Sequence, residues 1–132
     1  MVDRSPLVAH AMRSRIVSCT LRTPLTEIAR RMHDEQVNVM LVASAGTDLI
    51  AGALTDVDLL RALRQGRSGD AMASDAMSTA GVPAIGARES LAEAAARLRE
   101  PGVSVLVVTE GSEGRPVGML ARSDMVAYLA GA

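Results

Sequence analysis

GALTDVDLLRAL (residues 52–63) and GMLARSDMVAYL (118–129) are two copies of one pattern. Each has a glycine, two apolar residues, a fourth position that is Thr55 in one copy and Ala121 in the other, two variable residues, and then Asp58 or Asp124 before an apolar stretch. Sliding the chain by 66 residues aligns 25–63 with 91–129 without a gap, and eleven of the thirty-nine positions are identical, among them Leu25/Leu91, Arg31/Arg97, Val39/Val105, Gly52/Gly118 and Asp58/Asp124. Composition alone gives about four matches in so Ala- and Leu-rich a chain, so the excess marks an internal repeat.

The matches fall where a repeated fold needs them. Leu25, Ile28, Ala29 and Met32 lie at i, i+3, i+4 and i+7, and Leu91, Ala94, Ala95 and Leu98 repeat that spacing, which predicts one apolar face on each of two helices. Thr23-Pro24 reads as a cap followed by proline at the first helical position, and Ser90-Leu-Ala-Glu93 has the form of a capping box. Each helix gives way to a β-branched run, VNVMLVA (37–43) or VSVLVV (103–108), too short for a helix and bounded by turn residues. After the polar turns SAGTD and TEGSEGR come LIAGALT (49–55) and PVGMLA (116–121), and then a last helix with Leu59, Leu60 and Leu63 or Met125, Val126 and Leu129 on an apolar face. Upstream of each long helix lies one more short apolar segment, 16–19 and 82–85, preceded by Ala11-Met12 and Ala76-Met77.

The unit is thus strand, helix, strand, strand, helix, an α/β (α+β) class. Repeat 1 with its approach segment spans 1–66 and repeat 2 spans 67–132, joined through QGRSGDAMASD (65–75). A unit of about sixty residues buries only ~60% of its unfolded surface and is marginal alone. Two β-α-β-β-α units packed with pseudo-two-fold symmetry are expected.

Bulk properties exclude several functions. The chain has 132 residues, 48% hydrophobic and 22% charged, the balance of one globular body. Its apolar runs are far shorter than the roughly 18 to 20 residues of a membrane span, and MVDRSPLVAHAM carries no continuous apolar h-region, so no membrane contact and a cytoplasmic location are expected. A net charge of −1 without a basic run lacks the footprint of a nucleic-acid binder. The single cysteine, Cys19, allows no internal disulfide and reads as a small buried residue, and His10 and His33 have no acidic cluster at ligand spacing and read as surface positions. There is no nucleophile–base constellation, so the chain is not expected to be an enzyme.

The two blocks and the element order resemble the cystathionine-β-synthase (CBS) domain family, and specifically its tandem pair, the Bateman module, expected here as a free-standing pair. The resemblance covers about Val8 to Leu129. It implies a regulatory or sensor module with no required cofactor, binding an adenine nucleotide such as AMP or ATP, or S-adenosylmethionine, in the cleft between repeats. It further implies a homodimer and an unidentified protein partner that reads the bound state. Residue by residue, the family pattern puts Thr55 and Asp58 at one site and Asp124 at the other, with each aspartate accepting hydrogen bonds from ribose hydroxyls. Arg122, inside the second block, is a candidate to reach a phosphate that Ala121 cannot touch. The base is expected against the first strands, around Val17 to Thr20 (Val17 and Ser18 foremost) and Pro83 to Ile85, and against Val39-Met40 or Val105-Leu106. Many family members carry a proline in the middle strand where this chain has Leu41 and Val107, which alters the local backbone of the pocket.

Two readings stay open. Thr-x-x-Asp is also an N-capping arrangement, with the aspartate favoured in the first turn by the helix dipole. If Asp124 were only half of a capping box, loss of the hydroxyl at 121 would remove much of its reason, yet Asp124 is kept; common ancestry of the repeats explains its survival equally well. The alternative to a sensor is a ligand-free dimerisation or interaction module, compatible with the apolar second block and with Tyr128 as the one aromatic residue.

Overall fold

The computed structural model describes residues 6–44, 46, 50–67, 69–77, 83–112 and 114–131. Residues 45, 47–49, 68, 82 and 113, which the expected turns, the joint and two strands include, lie outside these, as do residues 1–5 of the N-terminus. In chain order the elements are α1 (Val8–Ala11), β1 (Ser18–Thr20), α2 (Leu25–Glu35), β2 (Val39–Ala43), β3 (Ile50–Thr55) and α3 (Asp56–Arg64). They continue with α4 (Ala73–Ala76), β4 (Ala84–Gly86), α5 (Leu91–Leu98), β5 (Val105–Glu110), β6 (Arg115–Ala121) and α6 (Arg122–Leu129). The β-α-β-β-α order predicted from periodicity is present twice, the first strand of each repeat beginning two residues later than the apolar segment does.

Each repeat forms a three-stranded mixed sheet. The orders are β1-β2-β3 and β4-β5-β6, with the first pair parallel and the second antiparallel. Leu25, Ile28 and Met32 of α2 bury against Met40, Val42 and Leu54, while Leu91, Ala94 and Leu98 of α5 bury against Leu106, Val108 and Leu120. These are the i, i+3 and i+7 positions of the two predicted faces; at i+4 Ala29 is exposed and Ala95 half-buried, so the buried stripe is narrower than the spacing implied. Ser90 caps α5 as expected, accepting the Glu93 N–H at 3.1 Å. Thr23 does not cap α2: Pro24 is the N-cap residue, and the Thr23 hydroxyl accepts the Thr20 N–H at 3.0 Å instead. Cys19 is buried in the first core, and burial pushes its thiol pKa up, against the lowering effects of Arg31 and a Thr23 hydrogen bond.

The packing units do not coincide with the sequence halves. One compact unit is Val17–Gly81 and the other is Met1–Ile16 with Val82–Ala132. The four-residue helix α1, which precedes the first repeat, packs through Val8 into the core of the second, whereas Ala73 and Ala76 of α4 pack into the core of the first. The boundary between 66 and 67 therefore describes the repeat, and the cores exchange their approach segments.

Backbone hydrogen bonds explain why. A helix leaves its first N–H groups without intrahelical acceptors. The Leu91 N–H at the start of α5 donates to Pro6 O at 3.0 Å, and the Leu25 N–H at the start of α2 donates to Ala71 O at 2.8 Å. The strap after α1 is then stitched to β6, Arg13 N–H to Met119 O and Met119 N–H to Arg13 O, both at 2.9 Å. Gly118 makes room for it, since a Cβ there would lie 2.6 Å from Arg13 O and 2.7 Å from Met12 Sδ.

The apolar face expected on the last helix of each repeat is not buried. In α3 the inward residues are Asp58 and Ala62 with Leu59 half-buried, and Leu60 and Leu63 are 64% and 70% exposed. In α6 no residue is fully buried, and Val126 and Leu129 are exposed. The leucines of α3 lie on both sides of the helix, and the side chosen for the core is the one that carries the aspartate.

Gly118→Ala is expected to cost about 1–3 kcal/mol of stability through overpacking against backbone. A urea denaturation midpoint measures this, and limited proteolysis of the folded variant is expected to cut faster after Arg13.

Candidate functional site

The two strand-to-helix junctions carry the residues singled out in sequence. At the first, Thr55 ends β3 in extended backbone and α3 begins at Asp56. The Thr55 hydroxyl accepts the Asp58 N–H at 3.3 Å and donates to Asp58 Oδ2 at 3.2 Å, while the same oxygen accepts the Thr55 N–H at 2.8 Å. The other oxygen, Oδ1, accepts from Arg61 Nη2 at 2.5 Å. Asp58 is 5% exposed, the only buried charged residue among those described. A buried carboxylate persists where its lone pairs are satisfied, and here the helix N-terminus and one guanidinium do so.

At the second junction the backbone is the same and the hydroxyl is gone. Ala121 takes φ −110 and ψ 169 against −110 and 170 at Thr55. Asp124 Oδ2 accepts the Ala121 N–H at 2.8 Å, the same contact at the same length as in the first block. The expectation that a capping role would lapse with the threonine is therefore corrected: the carboxylate half of the box needs only the backbone N–H at 121. Asp124 Oδ1 accepts from Arg13 Nε at 2.7 Å, and Arg13 Nη2 lies 3.5 Å from the Ser123 hydroxyl.

The Arg122 side chain is engaged elsewhere. Its Nε donates to Leu98 O at 2.9 Å and its Nη2 to Val103 O at 2.8 Å, closing the C-terminal end of α5 and the turn beyond it. Cations at the end of a helix satisfy its last carbonyls and complement the dipole. The guanidinium adjoining the second aspartate is that of Arg13, more than a hundred residues away in sequence.

The expected base-contacting residues divide by burial. Val17 and Met40 belong to the core of the first unit and Ile85 to that of the second, so their side chains are spent on packing. Ser18 and Ala84 are exposed and Pro83 is half-buried. The missing middle-strand proline has a visible consequence. Leu41 N–H donates to Val17 O at 3.0 Å and Val107 N–H donates to Pro83 O at 2.9 Å, bonds that a proline would abolish.

A family model for the CBS domain matches residues 8–65 and again residues 73–131. The chain belongs to the CBS domain family. No curated protein matches it. Among solved structures, a CBS domain protein of Pyrobaculum aerophilum complexed with AMP is 19% identical with a TM-score of 0.81, covering 96% of this chain and 99% of its own. The CBS domain pair of protein MJ0100, in complex with 5′-methylthioadenosine and S-adenosyl-L-methionine, is 17% identical with a TM-score of 0.84, covering 96% and 98%. A signal-transduction protein with CBS domains from Burkholderia ambifaria is 25% identical with a TM-score of 0.82, covering 94% and 91%.

Two features of the CBS repeats escaped the sequence. In sequence the pair Arg13/Arg15 reads as able to meet a phosphate or, in the ordinary case, as part of a solvated face, and nothing local links Arg13 to Asp124. Arg31 and Arg97 are identical in the repeat alignment, and each reaches back from its helix to the first strand, Arg31 Nη1 to Ser18 O at 2.8 Å and Arg97 Nη1 to Ala84 O. That identity was the available signal. Arg31 also lies 3.8 Å from Glu35.

Thr55→Ala is expected to cost about 1 kcal/mol and leave the fold intact, because the second repeat lives with alanine at that place. Asp58→Ala is expected to cost more, about 1–3 kcal/mol, since it strips an acceptor from a buried N–H. Chemical denaturation of both variants against the parent checks the order.

Proposed function

We propose that the chain is a regulatory module whose two aspartate blocks hold the ribose of an adenine nucleotide or another adenosyl compound, and that the bound state is transmitted to a protein partner. The observation that carries this is the repeated carboxylate three residues into α3 and α6. Asp58 and Asp124 each commit one oxygen to the N-cap N–H, which fixes the other oxygen at the junction. That oxygen accepts from Arg61 Nη2 at Asp58 and from Arg13 Nε at Asp124, so a vicinal diol binds it by sharing or displacing a guanidinium, and charge-assisted bonds of this kind are the strong ones. Adenosyl ligands in two structures of the same fold support the choice of ligand class. The exposed Ser18 and Ala84, with Pro83, are the parts of the first strands open to a base. A regulatory role follows from a ligand that binds one arrangement of the protein better than another, since equal affinity shifts nothing.

Calorimetry with AMP, ATP, 5′-methylthioadenosine and S-adenosylmethionine tests the reading. Asp58→Asn is expected to weaken binding roughly ten- to a hundred-fold, and more than Asp124→Asn, because the first block also presents the Thr55 hydroxyl. No binding tighter than millimolar for any of the four overturns it.

A homodimer forms part of the proposal. Leu60 and Leu63 of α3 are exposed and, with Leu25, Ala29 and Leu59, line an apolar groove of about 520 Å³. A two-fold axis brings the same patch of each subunit together, so an exposed apolar groove of this kind is buried against its own copy in a dimer. If this surface alone accounts for the protein, the module acts through assembly without a small ligand. Leu63→Glu is expected to convert a dimer to a monomer by light scattering with the melting temperature of the monomer retained; a Leu63→Glu chain that stays dimeric excludes this face.

A further inference from the structure

Granting the adenosyl reading of the two blocks, we propose that Arg13 is a specificity-determining residue that makes the second block select 5′-phosphorylated adenosine over neutral or cationic adenosyl compounds. The two aspartates differ in where their guanidinium comes from. Asp58 is paired by Arg61, one turn along its own helix. Asp124 is paired by Arg13, whose backbone is fixed by two hydrogen bonds to Met119 and which lies against Gly118 of the same block. The cation is thus anchored independently of the helix it neutralises.

A ribose diol bonding Asp124 competes with Arg13 Nε for Oδ1. Release of that bond leaves a solvent-accessible guanidinium beside the ribose, on a backbone hydrogen-bonded to Met119. A 5′-phosphate on the incoming ligand supplies a replacement partner, and guanidinium–phosphate pairs form parallel, charge-assisted bonds. A thioether offers nothing in exchange, and a sulfonium repels the cation. The Arg13 side chain is 41% exposed, so an incoming anion can reach it without unfolding the strap. The arginine within the block cannot serve, because Arg122 is held on Leu98 O and Val103 O. No hydroxyl at position 121 competes for the phosphate.

The test compares AMP with 5′-methylthioadenosine by calorimetry on the full chain carrying Asp58→Asn, so that the second block dominates, with and without Arg13→Gln. The ratio of the two affinities is expected to favour AMP and to fall roughly tenfold on Arg13→Gln, through weaker AMP binding with methylthioadenosine unchanged or tighter. A purely structural role for Arg13 moves both ligands together, so an unchanged ratio overturns the inference. If the Asp58→Asn chain binds neither compound while the parent chain binds one, the inference fails and the adenosyl reading stands. If the parent binds neither, both fall.

Discussion

The junction between the last strand and the last helix of each repeat depends on one contact, a carboxylate three residues into the helix accepting the N–H of the residue that ends the strand. It is 2.8 Å long at both Asp58 and Asp124. Because it uses only backbone on the strand side, it holds the same φ and ψ at Thr55 and Ala121 although one side chain has a hydroxyl and the other a methyl. That constraint turns the chain from β3 into α3 and from β6 into α6, and so orients the inward side of each helix. It also explains why the leucines of α3 face both ways. The helix is set by its aspartate, and Ala62, one turn further on, follows it into the core while Leu60 and Leu63 are left outside.

The second organising contact is the exchange of approach segments. Helices α1 and α4 have four residues each and cannot persist by propensity. They are held by what they supply: Pro6 O and Ala71 O for the orphan N–H groups of α5 and α2, and Val8 or Ala73 and Ala76 for the cores. Each is also back-capped from its own third position, His10 Nδ1 accepting the Leu7 N–H and Asp75 Oδ2 accepting the Met72 N–H. His10, a surface residue by its exposure, therefore has a local role that its isolation in the sequence conceals.

Periodicity made the repeat legible. The faces of α2 and α5 could be found from spacing because a helix against a sheet must present residues at 3.6-residue intervals, and the strands could be found because a buried strand is short, β-branched and bounded by turns. The short helices were invisible for the converse reason, as four residues carry no period. Their placement in the opposite repeat's core is a long-range fact, decided by which helix start lacks acceptors, and no local window contains it. Of the face expected on α6 only Met125 packs, half-buried, against the core; Val126 and Leu129 are apolar in composition but exposed, because burial is set by orientation at the junction.

The candidate site shows the same division. Thr55, Asp58 and Asp124 were legible because the chemistry sits in a contiguous block that occurs twice. Arg122 is the natural candidate for a phosphate because it lies inside the block, but its guanidinium is taken by carbonyls at and just beyond the end of α5, Leu98 O and Val103 O. Arg13 reaches the second aspartate because Gly118 lets its strap cross β6 at backbone contact. In the second block the glycine and the cation are therefore one feature: the position that must lack a side chain for the strap to pass is the one that delivers Arg13 to Asp124.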